Sequence, residues 1–108
     1  MSNGAVAWGN LDSLQALSKR TDDQAQLAAI HLKMCAELSQ LSRYDDAEEL
    51  AIKALSHYKE SMAFEKQAEC LIELGQICER RREWSKGKKL LFEAMDLYQG
   101  LKNEQGIA

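Results

Sequence analysis

The chain has 108 residues, enough for one modest core, with no proline, six glycines and a net charge of −3. Ala, Leu, Glu, Lys and Gln dominate, whereas the β-branched residues Val and Thr occur once each, as Val6 and Thr21. This composition excludes a sheet protein, and the mild, mixed charge excludes the strongly basic face that nucleic acid requires.

No apolar run approaches the roughly 20 residues that cross a bilayer, and the first residues lack a basic stretch followed by an apolar one. No membrane partner is therefore expected. Cys35, Cys70 and Cys78 form an odd set without paired spacing, each at an apolar position of a helical pattern. They read as small buried hydrophobes in a reducing, intracellular and cytoplasmic setting.

Residues 1–9 are small, polar and glycine-containing and read as a flexible leader. The helical-repeat domain follows over residues 10–108. Leu11, Leu14 and Leu17 mark a leading helix over about 10–20, ending at Lys19-Arg20, where cations suit the negative end of the helix dipole. Thr21 is the expected cap of the next helix, with Gln24 reaching back. Leu27, Ile30, Met34, Leu38 and Leu41 then form one apolar face. Asp45 is the expected N-cap of a helix carrying Ala47, Leu50, Ala51, Ala54, Leu55 and Tyr58. A further pattern runs through Phe64, Ala68, Leu71, Leu74, Ile77 and Cys78 and closes at Arg80-Arg81-Arg82. Ser85 is expected to open the last helix, through Leu90, Leu91, Ala94, Met95, Leu97 and Tyr98, with Gly100 as its C-cap. Linkers this short force antiparallel neighbours, so the fold class is all-α, built from stacked antiparallel helical hairpins.

The sequence matches itself at a shift of 40 residues. Tyr44 falls on Trp84, Ala47 on Gly87, Leu50-Ala51 on Leu90-Leu91, Ala54 on Ala94 and Tyr58 on Tyr98. In the preceding helices Ala28 falls on Ala68, Met34 on Leu74 and Cys35 on Gly75. Repeat one spans about 24–61 and repeat two about 64–101, with 103–108 as the start of a third repeat or a cap. The ends are expected to continue into a longer array, with the leading helix as a native cap being the alternative. Glycine within a helix costs about 1 kcal/mol relative to alanine, so Gly75 and Gly87 are expected to allow close helix approach. Tyr44 and Trp84 are expected to act as plugs between one hairpin and the next.

The stretch from Ala68 to Cys78, followed by Trp84, Gly87, Leu91 and Ala94, resembles one tetratricopeptide repeat. That pattern wants an apolar fourth residue (Leu71), Leu-Gly at seven and eight (Leu74-Gly75), an aromatic at seventeen (Trp84) and small residues at twenty and twenty-seven (Gly87, Ala94). The first copy keeps Tyr44, Ala47 and Ala54 but has His31 for the fourth residue and Cys35 for the glycine. The family's period is about 34 and usually closes on a proline, which is missing here. The longer spacing is similar to a long-helix subclass found in spindle-orientation adaptors and some bacterial regulators.

The resemblance implies a non-catalytic scaffold that binds a peptide or helical segment of a partner protein in a superhelical groove. Carried over position by position, the groove residues are Ala29, Leu32, Lys33, Ala36, Ser39 and Gln40 in the first repeat. In the second they are Glu69, Ile72, Glu73, Gln76, Glu79 and Arg80. Family members that grip a C-terminal carboxylate use Lys and Asn where this chain has Leu32, Ala36, Ile72 and Gln76, so a chaperone tail is not the expected ligand.

No catalytic site is expected, since no Ser, His and Asp set has a recognisable context. His31 and Cys35 lie one helical turn apart, but two ligands make no zinc site, and no metal or cofactor is expected. Gly87-Lys88-Lys89 lacks the remainder of a phosphate loop. The basic patch of Arg80, Arg81, Arg82, Lys86, Lys88 and Lys89 reads first as a solvated helix end, and otherwise as a contact for an acidic partner. Two alternatives accompany the scaffold reading. One is a self-associating segment that dimerises or exchanges helices through an apolar flank at Leu91, Met95 and Leu97. The other is a regulatory part of a larger multidomain protein.

Overall fold

The computed structural model describes the backbone of residues 3–104 and the side chains of residues 11–102. It is all-α, with no strand among the described residues. The helices are α1 (Asn3–Arg20), α2 (Gln24–Gln40), α3 (Tyr44–Glu60), α4 (Phe64–Arg80) and α5 (Trp84–Glu104). The third repeat or cap expected at 103–108 falls, for its last four residues, outside the described part.

Three consecutive helices, α2, α3 and α4, have 17 residues each. Each is separated from the next by three residues, so a helix begins every 20 residues and a hairpin every 40. One chemical device sets this rhythm. Ser42, Met62 and Arg82 have left-handed φ angles of 61°, 57° and 64°. Behind each, two hydrogen bonds close the helix in a Schellman arrangement. After α2 these are Arg43 N–H to Leu38 O (2.9 Å) and Ser42 N–H to Ser39 O (3.0 Å). After α3 they are Ala63 to Tyr58 (3.0 Å) and Met62 to Lys59 (3.2 Å). After α4 they are Glu83 to Cys78 (2.8 Å) and Arg82 to Glu79 (3.0 Å). Arg43, Ala63 and Glu83 then accept the first amides of the following helices, from Ala47, Gln67 and Gly87. The residue that finishes one helix therefore starts the next, and the chain has no room to do anything but reverse.

Several helix ends differ from the sequence expectation. Helix α2 is capped by Asp23, whose carboxylate accepts from Ala25 N (2.9 Å) and Gln26 N (3.4 Å). Thr21 instead accepts from Asp23 N and donates to Gln26 Oε1. Asp45 and Ser85 lie at the second position of α3 and α5, since Tyr44 and Trp84 are already helical. Gly100 caps nothing: α5 continues to Glu104, because a glycine costs a helix too little to end it when flanked by good helix formers. At the other end α1 begins at Asn3, so residues 3–9, expected as a loose leader, are helical. Two glycines did not outweigh Ala5, Val6, Ala7 and Trp8.

The chain forms two compact units, residues 1–54 and 55–108, with the boundary inside α3. In the first, Leu11, Ala28, Ile30, Met34, Cys35, Leu38, Ala47, Ala51 and Ala54 are buried. Leu17 of α1, expected on the apolar face, is exposed.

In the second unit Ala68, Leu71 and Ala94 form a core flanked by Leu55, Ile72, Leu90 and Leu97. Here α4 crosses α5 at its two glycines. A Cβ placed on Gly75 would stand 2.8 Å from Leu91 Cγ and 3.3 Å from Gly87 O. One placed on Gly87 would stand 3.1 Å from Gly75 O and 3.2 Å from Cys78 Cβ. Both glycines face a neighbouring helix so closely that a Cβ would force Leu91 (at Gly75) or the facing residues (at Gly87) to give way. The buried Gln67 donates from Nε2 to Tyr58 O (3.2 Å), the same carbonyl that receives Ala63 N–H, and so ties α4 to the end of α3. Trp84 is no plug. It is 61 % exposed, whereas Tyr44 is half-buried.

The left-handed turn residues carry a strain of about 1 kcal/mol each, which glycine would relieve. Met62 is well exposed, so Met62→Gly removes little packing. It should raise the urea midpoint, while the same change at Ser61 should lower it. A loss at both positions would refute the assignment of strain to Met62, the second turn residue.

Candidate functional site

Helix α2 places the first six groove candidates along one flank, in a register of three and four residues. Ala29, Leu32, Ala36 and Ser39 are half-buried, and Lys33 and Gln40 are exposed. The hydroxyl of Ser39 is buried without a hydrogen-bond partner among the described residues. Lys33 and Ala36, with Ser13 and Leu14 of α1 and Glu37, line an open hollow of about 340 Å³. A second hollow of about 270 Å³ lies in the same unit, lined by Leu11, Gln15, Met34, Leu38, Arg43, Asp46, Glu49 and Leu50. Sequence reasoning missed this one. Its only signal was that Arg43 and Asp46, three residues apart at a helix start, could pair, and they do at 2.7 Å.

Helix α4 carries the other six. Glu69, Ile72 and Glu73 are half-buried, while Gln76, Glu79 and Arg80 are exposed. Glu69 pairs with Lys66 at 3.1 Å, and this contact raises the lysine's pKa. Glu73, one turn on, pairs with no cation among the described residues. Burial first, and the charge of Glu69 second, push its carboxyl above the ordinary value. The α4 face is thus acidic, with Ile72 beside the two carboxylates. The α2 face carries a single cation, Lys33, among small and apolar residues.

The basic run is spread over the end of α4, the turn after it and the start of α5. Lys86, Lys88 and Lys89 are exposed; Lys86 and Lys89, three residues apart, share one side of α5, while Lys88 points away from Lys86. Arg81 is half-buried and 3.9 Å from Glu83, and Arg82 occupies the strained turn position.

The remaining chemistry-bearing groups lie inward. Cys35, Cys70 and Cys78 are buried as reduced thiols. Burial, followed by the charges of Glu69 and Glu73, pushes the Cys70 thiol up to about 12, so almost no thiolate is present near neutrality. His31 is half-buried, and burial followed by Lys53 lowers its pKa and favours the neutral ring. His57 sets its ring edge-on to Tyr58 at 5.5 Å. Among the described residues no group of three or more His, Cys, Asp or Glu is placed to hold a metal ion. No helix among them is long and apolar enough to cross a membrane.

Comparison with protein-family models, curated proteins and solved structures finds no match for this chain.

Glu73 makes stability depend on pH in a defined direction. Its folded pKa lies above the unfolded value of 4.5, so the folded state holds this proton more tightly. The neutral carboxyl supports the fold at acid pH, and that support is lost as pH rises through the window above 4.5. Glu73→Gln should therefore be more stable than the parent at pH 7, with the difference vanishing below about pH 4. Equal stability of the two proteins at pH 7 in urea titrations would contradict a desolvated carboxylate.

Proposed function

We propose that this chain is a tetratricopeptide-like, helical-repeat scaffold that binds a segment of another protein and carries out no reaction itself. The faces of α2 and α4 named above are the binding surfaces, and the ligand is a peptide or helix with Lys or Arg beside apolar side chains. An intracellular location belongs to the same reading, supported by three buried reduced thiols.

The observation that carries the reading is Glu73. An ionised carboxylate half-removed from water, one helical turn from another carboxylate, is unfavourable where it stands. A cation from a partner would relieve it, and Ile72 beside it offers apolar contact to the partner's neighbouring side chains. Charge complementarity of this kind selects partners and speeds encounter more than it adds affinity. Two further features support a scaffold of this type. Small residues meet at the α4–α5 crossing where the resemblance places them, and the hairpins repeat at a fixed interval.

Selection from a random-peptide display library tests the proposal. Recovered ligands should be enriched in Lys or Arg adjacent to Leu, Ile or Phe. Glu73→Arg should weaken those held by α4 about tenfold or more, and Leu32→Glu should weaken those held by α2. Ligands indifferent to both substitutions would place binding elsewhere.

A further inference from the structure

Helix α5 presents an apolar stripe to solvent. Trp84 is 61 % exposed, Met95 53 % and Tyr98 40 %, with Phe92 also exposed. Forty residues earlier the equivalent of Tyr98 is Tyr58, which is only 6 % exposed and lies against the start of α4. No described helix does for α5 what α4 does for that end of α3.

The stripe has its own order. Trp84, Lys88, Leu91, Met95, Tyr98 and Lys102 are spaced 4, 3, 4, 3 and 4 residues apart. This is the alternation of a coiled-coil seam, with Trp84, Leu91 and Tyr98 at d positions and Lys88, Met95 and Lys102 at a positions. The core side of α5, toward α4, is formed by Gly87, Leu90, Ala94, Leu97 and Leu101, all buried or half-buried. Leu91, half-buried over Gly75, borders both sides, while Trp84, Lys88, Met95, Tyr98 and Lys102 are exposed and form a second face of the same helix.

We infer that this seam docks against the same seam of a second copy of the chain, antiparallel, about a two-fold axis at position 93. In that register each a position meets a d position of the partner. Trp84 lies on Lys102, Lys88 on Tyr98 and Leu91 on Met95, and symmetry supplies every layer twice. The aliphatic pair sits at the centre with Phe92 beside the axis. Each lysine rests on an aromatic ring, where its ammonium is attracted to the ring face and its stem covers apolar surface. The parallel arrangement would stack Lys88 on Lys88 and Lys102 on Lys102, burying like charges together. Charge thus selects the antiparallel form, and the sequence of the seam is complementary to itself only when reversed. This contact uses none of the α2 and α4 groove candidates, so it stands or falls apart from the scaffold reading.

Sedimentation equilibrium from micromolar to millimolar concentration, together with disulfide trapping, tests the inference. The intact chain should sediment as a dimer in the upper part of that range. Met95→Glu and Tyr98→Glu, both exposed and so compatible with an unchanged helical circular dichroism spectrum, should be monomeric throughout. Phe92→Cys should cross-link to itself under mild oxidation. Trp84→Cys and Lys102→Cys should each cross-link poorly alone but readily when mixed. A parent chain that stays monomeric at millimolar concentration would overturn the inference. So would a dimer that survives Met95→Glu, or self-linking of Trp84→Cys in preference to the mixed pair.

Discussion

At the crossing of α4 and α5 two backbones come so close that a methyl group at either glycine would press on the facing helix. Gly75 O would stand 3.1 Å from a Cβ on Gly87, and Gly87 O 3.3 Å from one on Gly75. Leu91 fills the remaining space over Gly75. Two glycines inside helices each give up about 1 kcal/mol of helix propensity, and the return is the packing of Cys78, Leu91 and the helix backbones against each other. The placement of other groups in this unit follows from that closeness. With α5 drawn onto α4, Ala68, Leu71 and Ala94 share one core with Leu90 and Leu97. The polar flank of α4, with Glu69 and Glu73, is left on one side, and the seam of α5 is left on another.

The three-residue turns work with the crossing. Ser42, Met62 and Arg82 each reverse the chain in the left-handed region, without the glycine that usually occupies such a place. Their strain is offset by two main-chain hydrogen bonds at each helix end and by immediate entry into the next helix. Because α2, α3 and α4 are equally long, side chains at equal helix positions recur in register. The same register exposes differences between copies. Tyr58 is covered and Tyr98 is not. Asp46, Glu48 and Glu49 in α3 are replaced by Lys86, Lys88 and Lys89 in α5. One helix position therefore serves different purposes in the two repeats, and the exposed seam with its alternating lysines exists only in the second.

Much of this was legible from residue order alone. The five helices, the hairpin reversal and the importance of Gly75 and Gly87 all followed from apolar periodicity and the 40-residue match, because both report packing, which repeats when its partners repeat. The helix ends were less legible. Thr21, Asp45, Ser85 and Gly100 all have the chemistry of caps, but the chain ends its helices through main-chain bonding at Ser42, Met62 and Arg82, none of them the glycine or asparagine that marks a left-handed cap. Asp23 stands two residues after the expected cap Thr21, and only geometry shows it as the cap. The exposure of Trp84 was hidden for a different reason. A large aromatic at a repeat position is buried only if something lies over it, and periodicity does not say what does. Glu73 appeared as a groove residue, but its half-burial depends on the depth of α4 in its surroundings, which spacing does not encode.

A double-mutant cycle on Gly75 and Leu91, read by urea denaturation, tests the crossing most directly. In the parent, Gly75→Ala should destabilise by about 1–2 kcal/mol despite alanine's better helix propensity, because the new methyl must displace Leu91. In a Leu91→Ala background the same substitution should cost nothing or stabilise. A gain of about 1 kcal/mol from Gly75→Ala in the parent chain would show that the helices do not meet there as described.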